Sequence, residues 1–215
     1  MLLQKRALMV RDFVITGDHR NPYSFEAMNG LKVEPSGATC ATDGHRLALY
    51  TPKGSPDGAD YPVIDGFSAD NELGKAFVLP ADAAKMIEAA VPKKARTPVL
   101  GMVALDGTET DKNGHAVLAV TDLENPRTFR PAKVEGMFPE YGKVIPTEEN
   151  TPHKVCLDLA YLESACKMLR RMGYTNAVLG LQEATAERKT DACPITMRAT
   201  DGEGDCVVVI MPRTT

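Results

Sequence analysis

Four histidines, His19, His45, His115 and His153, are the side chains best suited to proton transfer, and they lie scattered along the chain. A general base must reach the proton it removes, usually with a second group orienting it. Asp43 and His45 share one short turn segment, but no nucleophile accompanies them. The G-x-S-x-G, H-E-x-x-H and P-loop patterns are absent. Asp201-Gly202-Glu203-Gly204-Asp205 gathers three carboxylates but lacks the ligand spacing of a calcium loop, and it reads as a hairpin turn. The five cysteines, Cys40, Cys156, Cys166, Cys193 and Cys206, are odd in number and form no C-x-x-C pair. That argues against zinc and against a disulfide framework, and it fits a reducing cytoplasm. These residues predict no catalytic site, no cofactor and no metal.

Bulk composition narrows the class. Of the 215 residues, 43% are hydrophobic, enough for a core in one large domain or two small ones. The net charge of −4 supplies no global basic field, although a local basic face remains possible. Gln4, Lys5 and Arg6 interrupt the apolar N-terminus, so no signal-peptide core is expected there. The apolar run Val207–Met211 is far too short to span a bilayer, so no membrane partner is expected.

Two stretches have helical periodicity. The first starts near Pro80, runs from Ala81 to Val91 and should stop before Pro92. The second has Asp158 as N-cap, runs from Leu159 to Met172 and stops at Gly173. Leu159, Leu162, Cys166 and Leu169 are expected on its apolar face, and Lys167, Arg170 and Arg171 on another. Lys85 lies on the first helix, and Lys93, Lys94 and Arg96 follow it. Such residues also complement helix C-termini or simply face solvent. Val99–Leu105, His115–Thr121, Ala177–Gln182, Ile195–Thr200 and Cys206–Met211 read as strands. Residues 106–114 and 183–193 read as hairpin loops, and the Gly- and Pro-rich stretch 52–75 as a long surface loop.

An internal repeat organises these pieces. Thr-Asp pairs begin at Thr42, Thr121 and Thr200, both spacings being 79 residues, and each closes an apolar strand. Phe77-Val78-Leu79-Pro80 and Lys154-Val155-Cys156-Leu157 precede the two helices. The expected unit is a helix followed by three strands, in an α+β fold with amphipathic helices packed on antiparallel sheets. Residues 1–76 form a first, incomplete unit, 77–150 a second and 151–215 a third, together one domain or one and a half. Leu3, Ala7, Val10 and Val14 have helical spacing, but Ala7–Ile15 reads equally well as a strand.

Four segments carry a family resemblance. Ala41-Thr42-Asp43-Gly44-His45-Arg46-Leu47-Ala48 resembles the most recognisable motif of bacterial DNA polymerase III beta subunits, the DNA sliding clamps. Phe138-Pro139-Glu140-Tyr141-Gly142-Lys143-Val144-Ile145-Pro146, Met28-Asn29-Gly30 and Val209-Ile210-Met211-Pro212 are similar to three other family segments, in the same order. From about Met28 onward the chain resembles a clamp's middle domain running directly into the last half of its final domain. The family's C-terminal Arg is Thr214 here, with Arg213 one position earlier.

The resemblance implies a DNA-clamp fold and a processivity factor that tethers polymerases or repair proteins to duplex DNA. It implies a hydrophobic peptide-binding cleft made by Met28, Thr42, Gly44, His45, Arg46, Leu47, Pro139, Lys143, Val144, Val209, Ile210, Met211 and Pro212. It also implies non-specific DNA contacts from Lys85, Lys93, Lys94, Arg96, Lys167, Arg170 and Arg171. Self-association is expected: a ring of the family's twelve units needs four copies with three units per chain, or six with two. The alternative is a non-encircling adaptor or decoy that binds the same peptides.

Overall fold

Short apolar runs bounded by Gly, Pro and Asp fold here as antiparallel strands, and the two longer periodic runs as helices. A computed structural model describes residues 1–15, 26–54, 58–92, 97–146, 155–181, 194–200 and 205–212. The chain divides into two units, Met1–Tyr141 and Gly142–Thr215.

The first unit holds two repeats of one strand, one helix and three strands. The first repeat is β1 (Leu2–Gln4), α1 (Lys5–Met9), β2 (Gly30–Val33), β3 (Thr39–Thr42) and β4 (Leu47–Tyr50). A 3-10 turn over Val10–Phe13 extends α1, so the ambiguous N-terminal stretch is mainly helical. The second repeat is β5 (Phe77–Pro80), α2 (Ala81–Ala90), β6 (Met102–Leu105), β7 (Leu118–Val120) and β8 (Arg127–Phe129). The expected unit therefore gains a strand before its helix.

These leading strands change places. β1 joins β6, β7 and β8 in one four-stranded sheet, and β5 joins β2, β3 and β4 in the other. Each repeat thus covers one open sheet edge of its neighbour. The exchange also fuses the two cores. Leu3 and Leu8 from the first repeat and Leu79, Ile87, Val103 and Leu105 from the second sit in one buried cluster. Burying each such side chain stabilises the unit by roughly 1.5–3 kcal/mol relative to leaving it exposed. Thr39 ties β3 to the helix layer, its hydroxyl donating to the Ala7 carbonyl at 2.7 Å.

Two expected loops take other forms. Residues 106–114 contain a helix, α3 (Gly107–Lys112), because the buried Asp106 carboxylate caps it by accepting from the Glu109 N–H at 3.1 Å. The stretch 52–75 is not a free surface loop. Tyr61, Ile64 and Ala69 are buried with Leu2, Met102, Ala104 and Ala119, so the segment packs against side chains of β1, β6 and β7. The Tyr61 hydroxyl donates to the Ala119 carbonyl at 3.3 Å. Asp106 also accepts from Asn71 Nδ2 at 2.8 Å, and Asp111 on α3 accepts from the Gly74 N–H at 2.6 Å.

The second unit carries one repeat: α4 (Leu159–Arg171), β9 (Val178–Leu181), β10 (Ile195–Thr200) and β11 (Asp205–Ile210). Asp158 caps α4 by accepting from the Ala160 N–H at 2.8 Å. Gly173 takes the left-handed conformation, φ 97°, just past its end. The face that α4 buries is centred on Ala165 and Leu169, with Leu162 at its margin. Leu159 and Cys166, expected on that face, are exposed, because the sheet beneath covers only a narrow stripe. The expected loop at 183–193 lies outside the described residues. No described helix is long and apolar enough to cross a membrane.

Candidate ligand-binding surface

The Thr-Asp motif folds as a tight turn between β3 and β4. Thr42 accepts from the Gly44 N–H at 3.1 Å and donates to the Arg46 carbonyl at 2.7 Å. Asp43 Oδ1 accepts from the His45 and Arg46 N–H groups at 2.9 and 2.8 Å. Its Oδ2 accepts from Arg46 Nε at 2.9 Å and pairs with Nη2 at the same distance. Burial pushes the Asp43 carboxyl up, but the two N–H donors and the guanidinium outweigh it and hold it below the usual carboxylate range. The Arg46 guanidinium lies over the Phe13 ring, 4.6 Å from its centroid. Gly44 has φ 86°, and a Cβ there would stand 3.5 Å from Met28 Cε. The sequence motif therefore encodes a polar rim, His45 and Arg46, beside the buried Met28 and Thr42 and the half-buried Leu47.

The turn recurs one repeat later. Thr121 accepts from the Leu123 N–H at 2.9 Å, and Asp122 accepts from Glu124 and Asn125 at 3.1 and 2.7 Å. Leu123 takes φ 82°, the conformation of Gly44, although it carries a side chain. Among the described non-glycine residues it is the one with positive φ.

The Phe-Pro-Glu-Tyr segment is anchored by a residue absent from the expected cleft. The Tyr141 hydroxyl donates to Glu34 Oε1 at 2.6 Å. Lys32 pairs with the same oxygen at 2.9 Å and stands 5.1 Å from the Tyr141 ring centre, with the Phe138 ring edge-on. The Tyr141 hydrogen bond, then Lys32, hold the Glu34 carboxyl below its ordinary range. Tyr141 was visible in the motif, but its partner lies too far away in sequence for any local pattern to link them. Beside this anchor a cavity of about 450 Å³ is lined by Lys32, Phe77, Val78, Lys133, Glu135 and Phe138.

The expected cleft residues fall in both units. Met28, Thr42, Gly44, His45, Arg46, Leu47 and the half-buried Pro139 belong to the first unit. Lys143, Val144, Val209, Ile210, Met211 and Pro212 belong to the second. Val144, Val209 and Met211 are exposed apolar side chains. Ile210 is buried like Met28 and Thr42, and alternation along β11 sets it beside Ala165, Leu169 and Met197.

Of the basic residues, Lys85 is exposed on α2, and Lys167, Arg170 and Arg171 on α4. Lys167 pairs with Glu163 at 2.7 Å, both side chains well exposed, an arrangement worth little in water. Lys93, Lys94 and Arg96 lie outside the described residues. Among the described residues, no group of three or more His, Cys, Asp or Glu is placed to hold a metal.

No protein-family model and no curated protein matches the sequence. Solved structures match by fold. A structure described as a DNA polymerase III beta subunit from Eubacterium rectale aligns over 99% of this chain and 50% of its own, at 16% identity and TM-score 0.57. DNA polymerase III subunit beta from Borrelia burgdorferi, solved with a natural product, aligns over 98% of this chain and 47% of its own, at 13% identity and TM-score 0.59. The beta sliding clamp of C. crescentus, solved with polyethylene glycol bound, aligns over 99% and 50%, at 18% identity and TM-score 0.50. The chain therefore has the fold of the DNA sliding clamps and spans about half the length of the solved relatives it matches.

Proposed function

We propose that this chain is a non-catalytic, cytoplasmic DNA-clamp scaffold that holds a replication or repair partner on duplex DNA. The observation that carries the reading is the β3–β4 turn. There the clamp-like motif sets a hydrogen-bonded polar rim beside Met28 and Leu47, within a clamp fold. A polar rim beside adaptable apolar side chains suits capture of a short linear peptide. The family resemblance assigns Pro139, Lys143, Val144, Val209, Ile210, Met211 and Pro212 to the same peptide-binding role. Lys85, Lys93, Lys94, Arg96, Lys167, Arg170 and Arg171 supply sequence-independent attraction to phosphates.

Calorimetric titration with a synthetic clamp-interaction peptide tests the cleft. Leu47→Ala or Met211→Ala should weaken binding by roughly 1–3 kcal/mol while leaving the circular dichroism unchanged. Absence of binding, or unchanged affinity in folded variants, would refute it. For DNA, replacing Lys167, Arg170 and Arg171 together should flatten log affinity against log salt by up to about one unit for each phosphate no longer neutralised. A tight footprint on one linear sequence would overturn the DNA reading. Peptide binding without any retention on circular DNA would leave a non-encircling adaptor as the function.

A further inference from the structure

The first two repeats complete each other by exchanging strands, and no described strand does the same for the third. In the first unit, the strand before each helix pairs with the first strand after the other helix: β1 with β6, and β5 with β2. The capping residue stands opposite the first residue of the partner strand in both cases, Gln4 with Met102 and Pro80 with Gly30. Leu31 and Val33 on β2, and Val103 and Leu105 on β6, are consequently fully buried in one shared core.

The third repeat has the same parts. Asp158 caps α4 as Gln4 and Pro80 precede α1 and α2, so Val155-Cys156-Leu157 is its leading segment. Among the described residues that segment belongs to no sheet, and β9 pairs only with β10. Leu179 and Leu181 stand opposite Met197 and Ile195, both buried, so they turn to the core side of the sheet. They are nevertheless 55% and 48% exposed. The equivalent strand is buried in the two repeats that exchange leading strands and exposed in the third.

We infer that a second copy of this chain closes the third repeat. In this two-fold dimer Val155–Leu157 of each copy pairs antiparallel with β9 of the other, and the two α4 helices lie against each other. The second unit carries both halves of that reciprocal contact, the leading segment and the open strand edge, so its surface is complementary to itself, as a two-fold interface requires. Charge permits it. Eight residues after the cap, α2 presents Glu88 to Arg11 of the first repeat, whereas α4 presents the uncharged Cys166, so two copies meet there without like-charge conflict. The dimer follows from the repeat architecture and not from the DNA reading, so peptide titration and mass measurement can fail separately.

The register taken over from the first unit sets Cys156 of one copy opposite Gly180 of the other. A Cβ at Gly180 would stand 2.6 Å from Thr196 Oγ1, so Gly180→Cys is made together with Thr196→Ala. Cross-strand neighbours lie about 4.5–5.5 Å apart between Cα atoms, within disulfide reach. Because Cys166 is itself exposed on α4, the double variant is made with Cys166→Ser. Mild oxidation of this full-length protein should give a covalent dimer on non-reducing gels, and adding Cys156→Ser should abolish it. Light scattering coupled to size exclusion should give the wild type at least twice the chain mass at micromolar concentration. Leu179→Glu should halve that mass with unchanged circular dichroism. A monomeric wild type, cross-linking that survives Cys156→Ser, no cross-link in the double variant, or a folded Leu179→Glu protein that keeps its mass would each overturn the proposal.

Discussion

Asp106→Ala is expected to destabilise the first unit by about 2–4 kcal/mol. The residue is 3% exposed, and its carboxylate accepts from the Glu109 N–H at 3.1 Å, Asn71 Nδ2 at 2.8 Å and the Ser68 N–H at 3.4 Å. Losing the cap of α3 costs about 1 kcal/mol. Leaving the Asn71 amide and the Ser68 N–H without their acceptor adds roughly 1–3 kcal/mol, since such groups forfeit water without replacing it. Asp106→Asn keeps one acceptor oxygen and should cost about half as much. Urea unfolding followed by circular dichroism measures the sum. Hydrogen exchange read by mass spectrometry localises it, because residues 58–75 should lose protection before β2 and β6 do. If Asp106→Ala stays within about 0.5 kcal/mol of wild type, the ordinary range of an inert surface change, Asp106 does not hold the segment down. Unchanged exchange across 58–75 would say the same.

The two equivalent turns should respond to opposite substitutions with opposite signs. Gly44→Leu should cost about 1–2 kcal/mol for a side chain in the left-handed region. Leu123→Gly relieves the same strain and should be neutral to slightly stabilising once the roughly 0.5–1 kcal/mol of extra glycine freedom in the unfolded chain is subtracted. Thermal unfolding of both variants checks this, and equal destabilisation would mean that the turns are not equivalent. Alkaline pH should loosen the first unit. Burial pushes the Cys40 thiol up to about 11 and the Tyr61 phenol up to about 12. Each folded value lies above its unfolded one, so the stabilisation is complete below the unfolded values, about 8.5 and 10. It is lost as pH climbs toward the folded values. Urea midpoints should therefore fall from about pH 8.5 upward. Cys40→Ala should remove the earlier part of that decline, and an unchanged slope in this variant would exclude the thiol as its source.

Much of the fold was legible because its signals are local. The caps and stops of α2 and α4, the strand runs, and the Thr-Asp turns at 42 and 121 follow from short-range hydrogen bonding and periodicity. The Thr200 turn ends outside the described residues at Asp201. Part of the candidate surface was legible for the same reason: Thr42, Gly44, His45 and Arg46 form one turn whose bonds close within five residues. Which way a side chain faces was less so. Leu159 and Cys166 were both expected on the apolar face of α4, yet both are exposed, since only the neighbouring element decides what a residue touches.

Sequence alone thus determined the repeat, its period and the turn chemistry, all properties of segments a few residues long. Tertiary structure alone decided the exchange of β1 and β5, the burial of Tyr61 and Ile64 against the β1–β6–β7 sheet, and the bond from Tyr141 to Glu34. These join residues far apart in the chain. Their choice of partner depends on which open edge and which apolar face remain uncovered after the local elements have formed, and no local pattern encodes that.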